Sequence, residues 1–353
     1  MVRRYSVPPP CIHMNEQTLT PQDKFGRFLR DLRISVTDRC NFRCIYCMPK
    51  AIFGHGYEFL PKEDLLTFEE ITRLVRIFVS LGTRKVRLTG GEPLLRKDIE
   101  VLVSQLAEIP ELEDLAMTTN GSSPIKRIQT LKDAGLKRFT VSLDSLDNET
   151  FQKMIDVDFP VSKVLKWIDA CIEHGMTPVK MNMVIKGGIN EDSIIPMIKK
   201  FNSPNTILRF IEFMDVGNSN GWRLDDVVTG SQILEKINAE IPIEPLDPNY
   251  VGEVAKRWRF KDSGNEFGIV ASVTQPFCGD CSRIRLSANG SLYTCLFAIK
   301  NHDIKSLLRS EKTDSEIAQH IYQIWKDRED RYSQIRSENT TDLPKVEMSF
   351  IGG

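Results

Sequence analysis

The sequence lacks any long apolar run. Nowhere in its 353 residues do about 18 apolar residues follow one another, the length that a membrane-spanning helix needs. The amino-terminal letters MVRRYSVPPPCIHM also lack the apolar segment of a secretory signal. These two absences lead us to expect a cytoplasmic protein.

An excess of charge is missing as well. Lysine and arginine number 47, aspartate and glutamate number 48, and the formal net charge is -1. Because a nucleic-acid binder needs a basic surface to neutralise phosphates, this balance argues against that class of protein. A local basic pocket can still bind a small anion. Hydrophobic residues, at 41% of the chain, are numerous enough for a sizeable core.

Cysteine is present, but not in the pattern of a disulfide scaffold. Six of the eight cysteines fall into two groups of three. In a cytosolic chain, such groups are more often metal ligands or redox groups than disulfides. Cys11 and Cys171 stand outside both groups, and Cys171 is expected to be a buried apolar residue on a helix.

Short apolar runs alternate with longer helical ones from Asp31 onward, which predicts βα units around a parallel sheet. The clearest helix has a capping box at Thr67 and Glu70 and a terminating glycine at Gly82. Six units would form an incomplete (β/α)6 barrel of triosephosphate-isomerase type with one open side. The predicted strands are residues 32–36, 86–88, 115–118, 139–143, 179–185 and 207–213.

Three regions are predicted along the chain. Residues 1–25 are expected to form a flexible arm, and residues 26–245 the partial barrel. Residues 246–353 are expected to form a C-terminal α+β module that closes the open side. A linker is predicted near that boundary from three prolines, Pro242, Pro245 and Pro248.

The first cysteine group, Cys40, Cys44 and Cys47, has the pattern CxxxCxxC directly after the first predicted strand. Three thiolates on one loop can bind three irons of a 4Fe–4S cluster, so that the fourth iron is open to another ligand. A zinc site, completed by His55 or by a distant residue, is the alternative interpretation.

The second group, Cys278, Cys281 and Cys295, is a CxxC pair with thirteen residues before the third cysteine. Asn289-Gly290 predicts a hairpin that brings the third cysteine back to the pair. A zinc ribbon normally supplies a second CxxC, so a second cluster with an open iron is favoured over zinc. Arg283 and Arg285 lie at i and i+2, a spacing that places both guanidinium groups on one face of a strand. Guanidinium groups match phosphate or purine acceptors. A solvated, charged strand is the alternative interpretation.

These features resemble the radical S-adenosylmethionine superfamily, in which CxxxCxxC carries an aromatic residue, here Tyr46, before the last cysteine. The superfamily's glycine-rich cluster is matched by Gly90-Gly91-Glu92-Pro93. More narrowly, the CxxCxRxR pattern and the terminal Gly352-Gly353 resemble the GTP 3′,8-cyclase family, which opens molybdenum cofactor biosynthesis. The resemblance covers residues 31–353 approximately.

The resemblance implies two 4Fe–4S clusters with all six grouped cysteines as metal ligands. Contacts to S-adenosylmethionine are implied for Tyr46, Gly91, Ser142 and Met214. The open iron of the second cluster would bind the guanine of GTP. The implied substrate-binding residues are Arg33, Arg87, Thr118, Lys180, Arg283 and Arg285.

The reaction implied by the family starts when a 5′-deoxyadenosyl radical takes the 3′ hydrogen of GTP, after which the carbon radical attacks C8 of the guanine. The product, 3′,8-cyclo-7,8-dihydro-GTP, would pass to a pyranopterin monophosphate synthase. An external one-electron donor and a homodimer are also implied. Catalytic roles are implied for Arg283, Arg285, Gly352 and Gly353, although a terminal diglycine is ordinarily a frayed end.

Two other functions are considered. A peptide-modifying radical enzyme typically carries more cysteines in its C-terminal module than the three found here. A zinc-stabilised binding module without catalysis has no need for the TGGEP cluster after the second strand. Iron or zinc content would separate the cluster interpretation from the zinc interpretation.

Overall fold

The structure, a computed structural model, describes residues 20–336 and 345–353. Cys11 lies outside these ranges. Among the described residues, we find no helix with both the length and the apolar character that crossing a membrane requires.

Six parallel strands form the centre of the sheet, and each pairs with the next one in the chain. All six predicted strands are confirmed, with bounds that shift by at most one residue. The strands are β1 (Asp31–Ser35), β2 (Lys85–Thr89), β3 (Asp114–Thr119), β4 (Arg138–Ser142), β5 (Val179–Ile185) and β6 (Thr206–Glu212).

Helices lie between these strands in sequence, so that the first half of the chain forms the predicted incomplete barrel. Short 3-10 helices at Lys62–Asp64, Pro93–Leu95, Glu191–Ser193 and Leu224–Asp226 occur in the loops. The α-helices are α1 (Lys50–Phe53), α2 (Phe68–Ser80), α3 (Ile99–Ala107), α4 (Lys126–Asp133), α5 (Asn148–Ile155), α6 (Val161–Glu173), α7 (Ile194–Phe201) and α8 (Gly230–Glu240).

Helix α2 has the predicted signals at both ends. The Thr67 hydroxyl accepts the Glu70 backbone N–H, and the Glu70 carboxylate accepts the Thr67 N–H, which completes the capping box. Gly82 has a φ of 99°, the left-handed conformation that favours glycine after a helix. The apolar side chains of one face, Ile71, Leu74, Val75 and Phe78, are buried, and so is Cys171 on α6, as predicted.

Strands of the C-terminal region extend both edges of the six-stranded centre. Strand β10 pairs in parallel with β1, and β9 pairs in parallel with β6. The strands of this region are β7 (Ile243–Leu246), β8 (Lys256–Phe260), β9 (Glu266–Val270), β10 (Arg283–Leu286), β11 (Ser291–Tyr293) and β12 (His302–Asp303). Its helices are α9 (Ile304–Leu308), α10 (Asp314–Lys326), α11 (Tyr332–Ile335), α12 (Met348–Ile351) and a 3-10 turn at Cys278–Asp280.

The predicted proline linker is wrong, because β7 occupies most of it. Pro245 lies within β7, which is the last strand at one edge of the sheet. Proline has no N–H to donate, so it is tolerated at an edge, where one side of the strand has no partner. The closely spaced prolines therefore lie in and beside an edge strand. In sequence, an edge strand that contains proline cannot be distinguished from a linker.

The predicted flexible arm also differs in its last residues. Pro21 and Asp23 are buried, and Asp23 forms ion pairs with Arg27 at 2.6 Å and with Arg328 at 3.3 Å. A buried carboxylate needs such partners, and these partners lie far apart in the sequence. The rest of the arm, residues 1–19, lies outside the described residues.

Candidate active site

The first cysteine group lies on the loop that follows β1. Its backbone is fixed by a turn in which the Cys47 N–H donates to the Cys44 carbonyl at 2.9 Å. Arg43 supports the loop from within, donating to the Cys40 and Phe53 carbonyls at 2.8 and 2.7 Å. The three cysteines are partly buried free thiols. One short, braced loop thus carries all three.

The glycine-rich segment after β2 packs directly on this cysteine loop. The Gly91 N–H donates to the Thr37 carbonyl at 2.7 Å, and the Glu92 N–H donates to the Arg39 carbonyl at 2.8 Å. A Cβ added at Gly91 would overlap the Arg39 carbonyl group. The contact that the structure shows at Gly91 is therefore with the cysteine loop.

A Gly91→Ala substitution is expected to displace the cysteine loop. The added methyl group meets backbone, which cannot swing away as a side chain can, so we expect a loss of about 1–3 kcal/mol in the free energy of unfolding and less iron bound after reconstitution. Thermal denaturation and iron analysis measure the two effects. For the free energy of unfolding, Gly279→Ala, where an added Cβ meets nothing within 4 Å, is the control, and equal stability of the two variants would contradict this role of Gly91.

Two buried carboxylates flank the first cysteine loop. Burial raises the pKa of Glu92 to about 7, although its carboxylate accepts hydrogen bonds from the Asn120 N–H and the Thr119 hydroxyl. Burial also raises the pKa of Asp144 to about 7, and that carboxylate accepts the Tyr46 hydroxyl at 3.0 Å. Asp144 thereby fixes the ring of Tyr46.

Three of the residues with an implied S-adenosylmethionine contact line one cavity of about 250 Å³. Tyr46, Ser142 and Met214 reach it from the cysteine loop, the end of β4 and the segment after β6. Asn220 ties two of these segments together, because its side-chain amide donates to the Met214 carbonyl at 2.9 Å and to the Tyr46 carbonyl at 3.4 Å. Gly91 does not line the cavity.

The second cysteine group lines the same cavity. Strands β10 and β11 form the predicted hairpin, with Gly290 at a φ of 83° in its turn. The hairpin places Cys295 close to the 3-10 turn that holds Cys278 and Cys281, and all three line the cavity. Both cysteine groups therefore lie at one cavity. The second group lines it directly, and the loop of the first group contributes Tyr46 to its lining.

Arginine side chains surround Cys281. Arg283 and Arg328 each place a guanidinium nitrogen 3.2 Å from its sulfur. Burial raises the pKa of Cys281, but these two positive charges outweigh that effect and lower the pKa to about 6. Arg328 also pairs with Asp23, and sequence reasoning missed both residues because they lie outside the CxxCxRxR pattern.

Three arginines occupy one row across the sheet. Arg33 on β1 lies opposite Arg285 on β10 and opposite Arg87 on β2. Burial lowers the pKa of Arg33 well below its usual value, and the charges of Arg285 and Arg87 lower it further. All three line the cavity, and the Nε atoms of Arg33 and Arg87 are buried without a hydrogen-bond partner. Among the described residues no carboxylate forms an ion pair with these three arginines, so the row is a concentration of positive charge suited to an anion.

The remaining substrate-binding predictions lie beside this row. Thr118 lines the cavity and accepts a hydrogen bond from Arg87 at 3.2 Å. Lys180 does not line the cavity, but burial and then the charge of Arg209 lower its pKa to about 7. Arg209 itself lines the cavity and was missed, although it lies on a predicted strand. Counting alternate positions along β6 would have placed it on the same face as Phe213, at the cavity.

The terminal diglycine reaches the site. The Gly352 carbonyl accepts a hydrogen bond from Arg285, and Gly353 lines the cavity. Gly352 has a φ of 79°, and an added Cβ would overlap the Thr89 hydroxyl. Only glycine fits both the conformation and the space at this position.

The residues fit the iron–sulfur clusters that the sequence implies. Burial raises the pKa of Cys40 to about 11 and that of Cys295 to about 12, so ionised thiolates at these positions need a compensating cation. Iron supplies such a charge; the first group offers three sulfurs on one braced loop, and the second offers three sulfurs at the cavity. Within the described ranges, no three His, Cys, Asp or Glu side chains are grouped as they would be around a single metal ion.

A partial barrel with a cysteine loop after its first strand defines a radical S-adenosylmethionine protein, and the comparisons agree. Residues 34–201 match the profile of the radical SAM superfamily, and residues 206–334 match that of Molybdenum Cofactor Synthesis C. The crystal structure of Streptococcus suis SuiB bound to S-adenosylmethionine has a TM-score of 0.61, covering 86% of this chain and 67% of that one. At 14% identity, this likeness shows the fold alone.

Curated relatives narrow the family. A GTP 3′,8-cyclase of Acidothermus cellulolyticus is 49% identical over 94% of this chain and 99% of its own length. A GTP 3′,8-cyclase of Staphylococcus haemolyticus is 49% identical over 94% of this chain and 98% of its own length. This chain belongs to the GTP 3′,8-cyclase family, lyases of molybdenum cofactor biosynthesis. Membership of the radical SAM superfamily implies a 4Fe–4S cluster and S-adenosylmethionine.

Proposed function

We propose that this protein converts GTP into 3′,8-cyclo-7,8-dihydro-GTP, the first step of molybdenum cofactor biosynthesis. The observation that carries the proposal is the arginine row, Arg285, Arg33 and Arg87, in a cavity shared with the second cysteine group. In a protein of net charge -1, such a row points to a multiply charged anion as the ligand. A nucleoside triphosphate has both that charge and a base to place near the second group.

In this proposal the two cysteine groups hold two 4Fe–4S clusters with different tasks. The first group would hold the cluster that, with bound S-adenosylmethionine, supplies a 5′-deoxyadenosyl radical. Tyr46, Ser142 and Met214 would contact S-adenosylmethionine, and Gly91 would support the loop from behind. The second group would orient the guanine, so that its C8 lies close to the 3′ carbon of the ribose.

The triphosphate would be bound by the positive side chains at the base of the cavity. Arg33, Arg87 and Arg209 line the cavity, the Nε atoms of Arg33 and Arg87 are buried without a hydrogen-bond partner, and Lys180 lies near Arg209. Bringing four negative charges into a partly buried site requires several converging cations. Thr118 would add a hydroxyl contact, and Arg283 and Arg285 would reach the substrate from β10.

The proposed catalytic residues are Arg283, Arg285, Gly352 and Gly353. Arg285 joins the tail to the arginine row through its hydrogen bond to the Gly352 carbonyl. The tail would fill one side of the cavity and exclude water from the reacting carbons. An external one-electron donor, a pyranopterin monophosphate synthase that takes the product, and a second copy of the chain in a homodimer complete the proposed partners.

The test is anaerobic turnover with GTP, S-adenosylmethionine and a chemical reductant, followed by identification of the products by mass spectrometry. The proposal expects equal amounts of 5′-deoxyadenosine and the cyclised nucleotide. Formation of 5′-deoxyadenosine without a cyclised nucleotide would reject GTP as the substrate and leave the radical chemistry in place.

The affinity for GTP is expected to fall as the pH rises from about 6 to about 9. The pKa of Lys180 is lowered to about 7 by burial and by Arg209, so below that pH it is protonated and can pair with phosphate, whereas above it the free protein carries neutral lysine. The loss should reach about tenfold, the value of one charged hydrogen bond. Binding of a fluorescent GTP analogue across this pH range measures it.

Lys180→Met should bind GTP more weakly than the unmodified protein at low pH. Its affinity should also lack the fall with rising pH that is attributed to Lys180. Ionisation of the phosphates is the same for both proteins and cancels in the comparison. Lys137→Met, at an exposed lysine, is the control. If Lys180→Met keeps the full pH dependence of the unmodified protein, Lys180 is not the group responsible.

A further inference from the structure

We propose that Glu347 positions the C-terminal diglycine in the cavity by holding the loop that follows Met214. We call this contact the tail clasp, and it consists of Glu347 together with Gly217, Asn218 and Ser219. The inference deepens the proposed function and rests on it in one respect, namely that the diglycine takes part in the reaction.

The Glu347 carboxylate uses both of its oxygens on the loop. Its Oε1 accepts the Asn218 backbone N–H at 2.9 Å, and its Oε2 accepts the Ser219 hydroxyl at 2.8 Å. Hydrogen bonds to an ionised acceptor are stronger than neutral ones. Two such bonds from adjacent residues fix both the position and the orientation of the carboxylate.

A second pair of hydrogen bonds sets the register between loop and tail. The Asn218 side-chain amide donates to the Lys345 carbonyl at 2.6 Å, and its oxygen accepts the Lys345 N–H at 3.1 Å. Since Asn218 bonds residue 345 through its side chain and residue 347 through its backbone, the tail cannot slide along the loop without breaking both contacts.

Gly217 makes the close approach possible. It has a φ of 67°, and an added Cβ would overlap the Glu347 carboxylate. A glycine is therefore required at this position both by the backbone conformation and by the space that the carboxylate takes.

The clasp lies between the two ends of the site. On one side, Asn220 of the same loop bonds the carbonyls of Met214 and Tyr46, the segments proposed to contact S-adenosylmethionine. On the other side, the tail continues from Glu347 through α12 to Gly352, which bonds Arg285. A displacement of the loop would therefore move the tail as well, because the hydrogen bonds of Glu347 and Asn218 join the two segments.

The C-terminal tail is too short to be stable as an isolated helix. Helix α12 is four residues long, far below the about 12–15 residues at which an isolated helix becomes marginally stable in water. Its order depends on contacts with the rest of the protein. Ile351, buried beside Tyr293 and Ala298, supplies an apolar contact, and the clasp adds polar contacts to those of Gly352 with Arg285 and of Lys345 with Asp215.

Carboxypeptidase trimming of the anaerobically reconstituted full-length protein tests the clasp directly. Gly353 is exposed and Gly352 is buried, so the enzyme can remove Gly352 only when the tail leaves the cavity, and intact-mass spectrometry follows the loss of each residue. We expect Glu347→Ala and Ser219→Ala to be trimmed about tenfold or more faster than the unmodified protein, since each loses a charged hydrogen bond. Glu311→Ala, at an exposed glutamate, is the control and should be trimmed at the unmodified rate.

Turnover gives a second readout that a loss of fold would not mimic. We expect Glu347→Ala to keep forming 5′-deoxyadenosine while its yield of cyclised nucleotide per 5′-deoxyadenosine falls about tenfold. Trimming of Glu347→Ala and Ser219→Ala at the unmodified rate would overturn the clasp, even if the unmodified protein cyclises GTP. Faster trimming of both, with no cyclisation by the unmodified protein, would instead uphold the clasp and reject the proposed function.

Discussion

Replacing Cys44 by alanine is expected to abolish formation of 5′-deoxyadenosine, and with it any cyclised nucleotide. Cys44 lies in the middle of the first cysteine loop, and burial and the neighbouring Cys40 thiolate raise its pKa well above the usual value. Its sulfur is thus an unstable anion unless iron is bound. We expect a loss of at least about 1,000-fold, because removing a cluster ligand removes the source of the radical. Chromatography of anaerobic reactions with reductant measures it.

Cys171→Ala is the matched control for this experiment. Cys171 is a fully buried thiol on α6, away from both cysteine groups, and its removal leaves only a small cavity in the core. Both products should form at close to the unmodified rate. Retention of 5′-deoxyadenosine by Cys44→Ala, with the normal iron content, would contradict the role given to the first group.

Replacing Cys281 by alanine is expected to separate the two products. Formation of 5′-deoxyadenosine should continue, since the first cysteine loop does not contain Cys281, but the cyclised nucleotide should fall by at least about 100-fold, a typical cost of misplacing a reacting group. The structure supports this separation because Cys281 lies with Arg283 and Arg328 in the C-terminal module. The ratio of the two products measures it.

The same ratio should change in Cys295→Ala, which removes a proposed ligand of the same group from the segment that follows β11. Iron analysis of both variants would show whether one cluster is lost and the other kept. Equal loss of 5′-deoxyadenosine and of cyclised nucleotide in both variants, with the first cluster intact, would count against separate tasks for the two groups.

The central fold could be predicted from the sequence because its signals are local. Each strand of the barrel is a short apolar run, and α2 carries its own cap, stripe and terminating glycine. Both cysteine groups and the hairpin at Asn289-Gly290 are likewise contained in short segments. Cys171 was placed correctly because its neighbours on α6 show the helical period.

The arrangement of the site could not be predicted in the same way, because it depends on pairings between distant segments. Arg285 lies opposite Arg33 only because β10 pairs with β1, across some 250 positions of sequence. Likewise, Arg328 contacts Cys281 and pairs with Asp23, which lies near the opposite end of the chain. Proline at position 245 fits either a linker or a sheet edge, and glycine at position 91 fits either a contact with S-adenosylmethionine or a contact with the cysteine loop. Only the position of the neighbouring backbone decides between these explanations.

The pairing of β10 with β1 and of β9 with β6 has a further consequence for how the protein can be divided. A fragment ending at residue 245 would expose two unsatisfied sheet edges, each a row of backbone donors and acceptors open to another chain. The C-terminal region is thus an integral part of the barrel's hydrogen bonding. The region that brings the second cysteine group to the cavity therefore also completes the hydrogen bonding of the barrel's two edge strands, and neither contribution can be removed without the other.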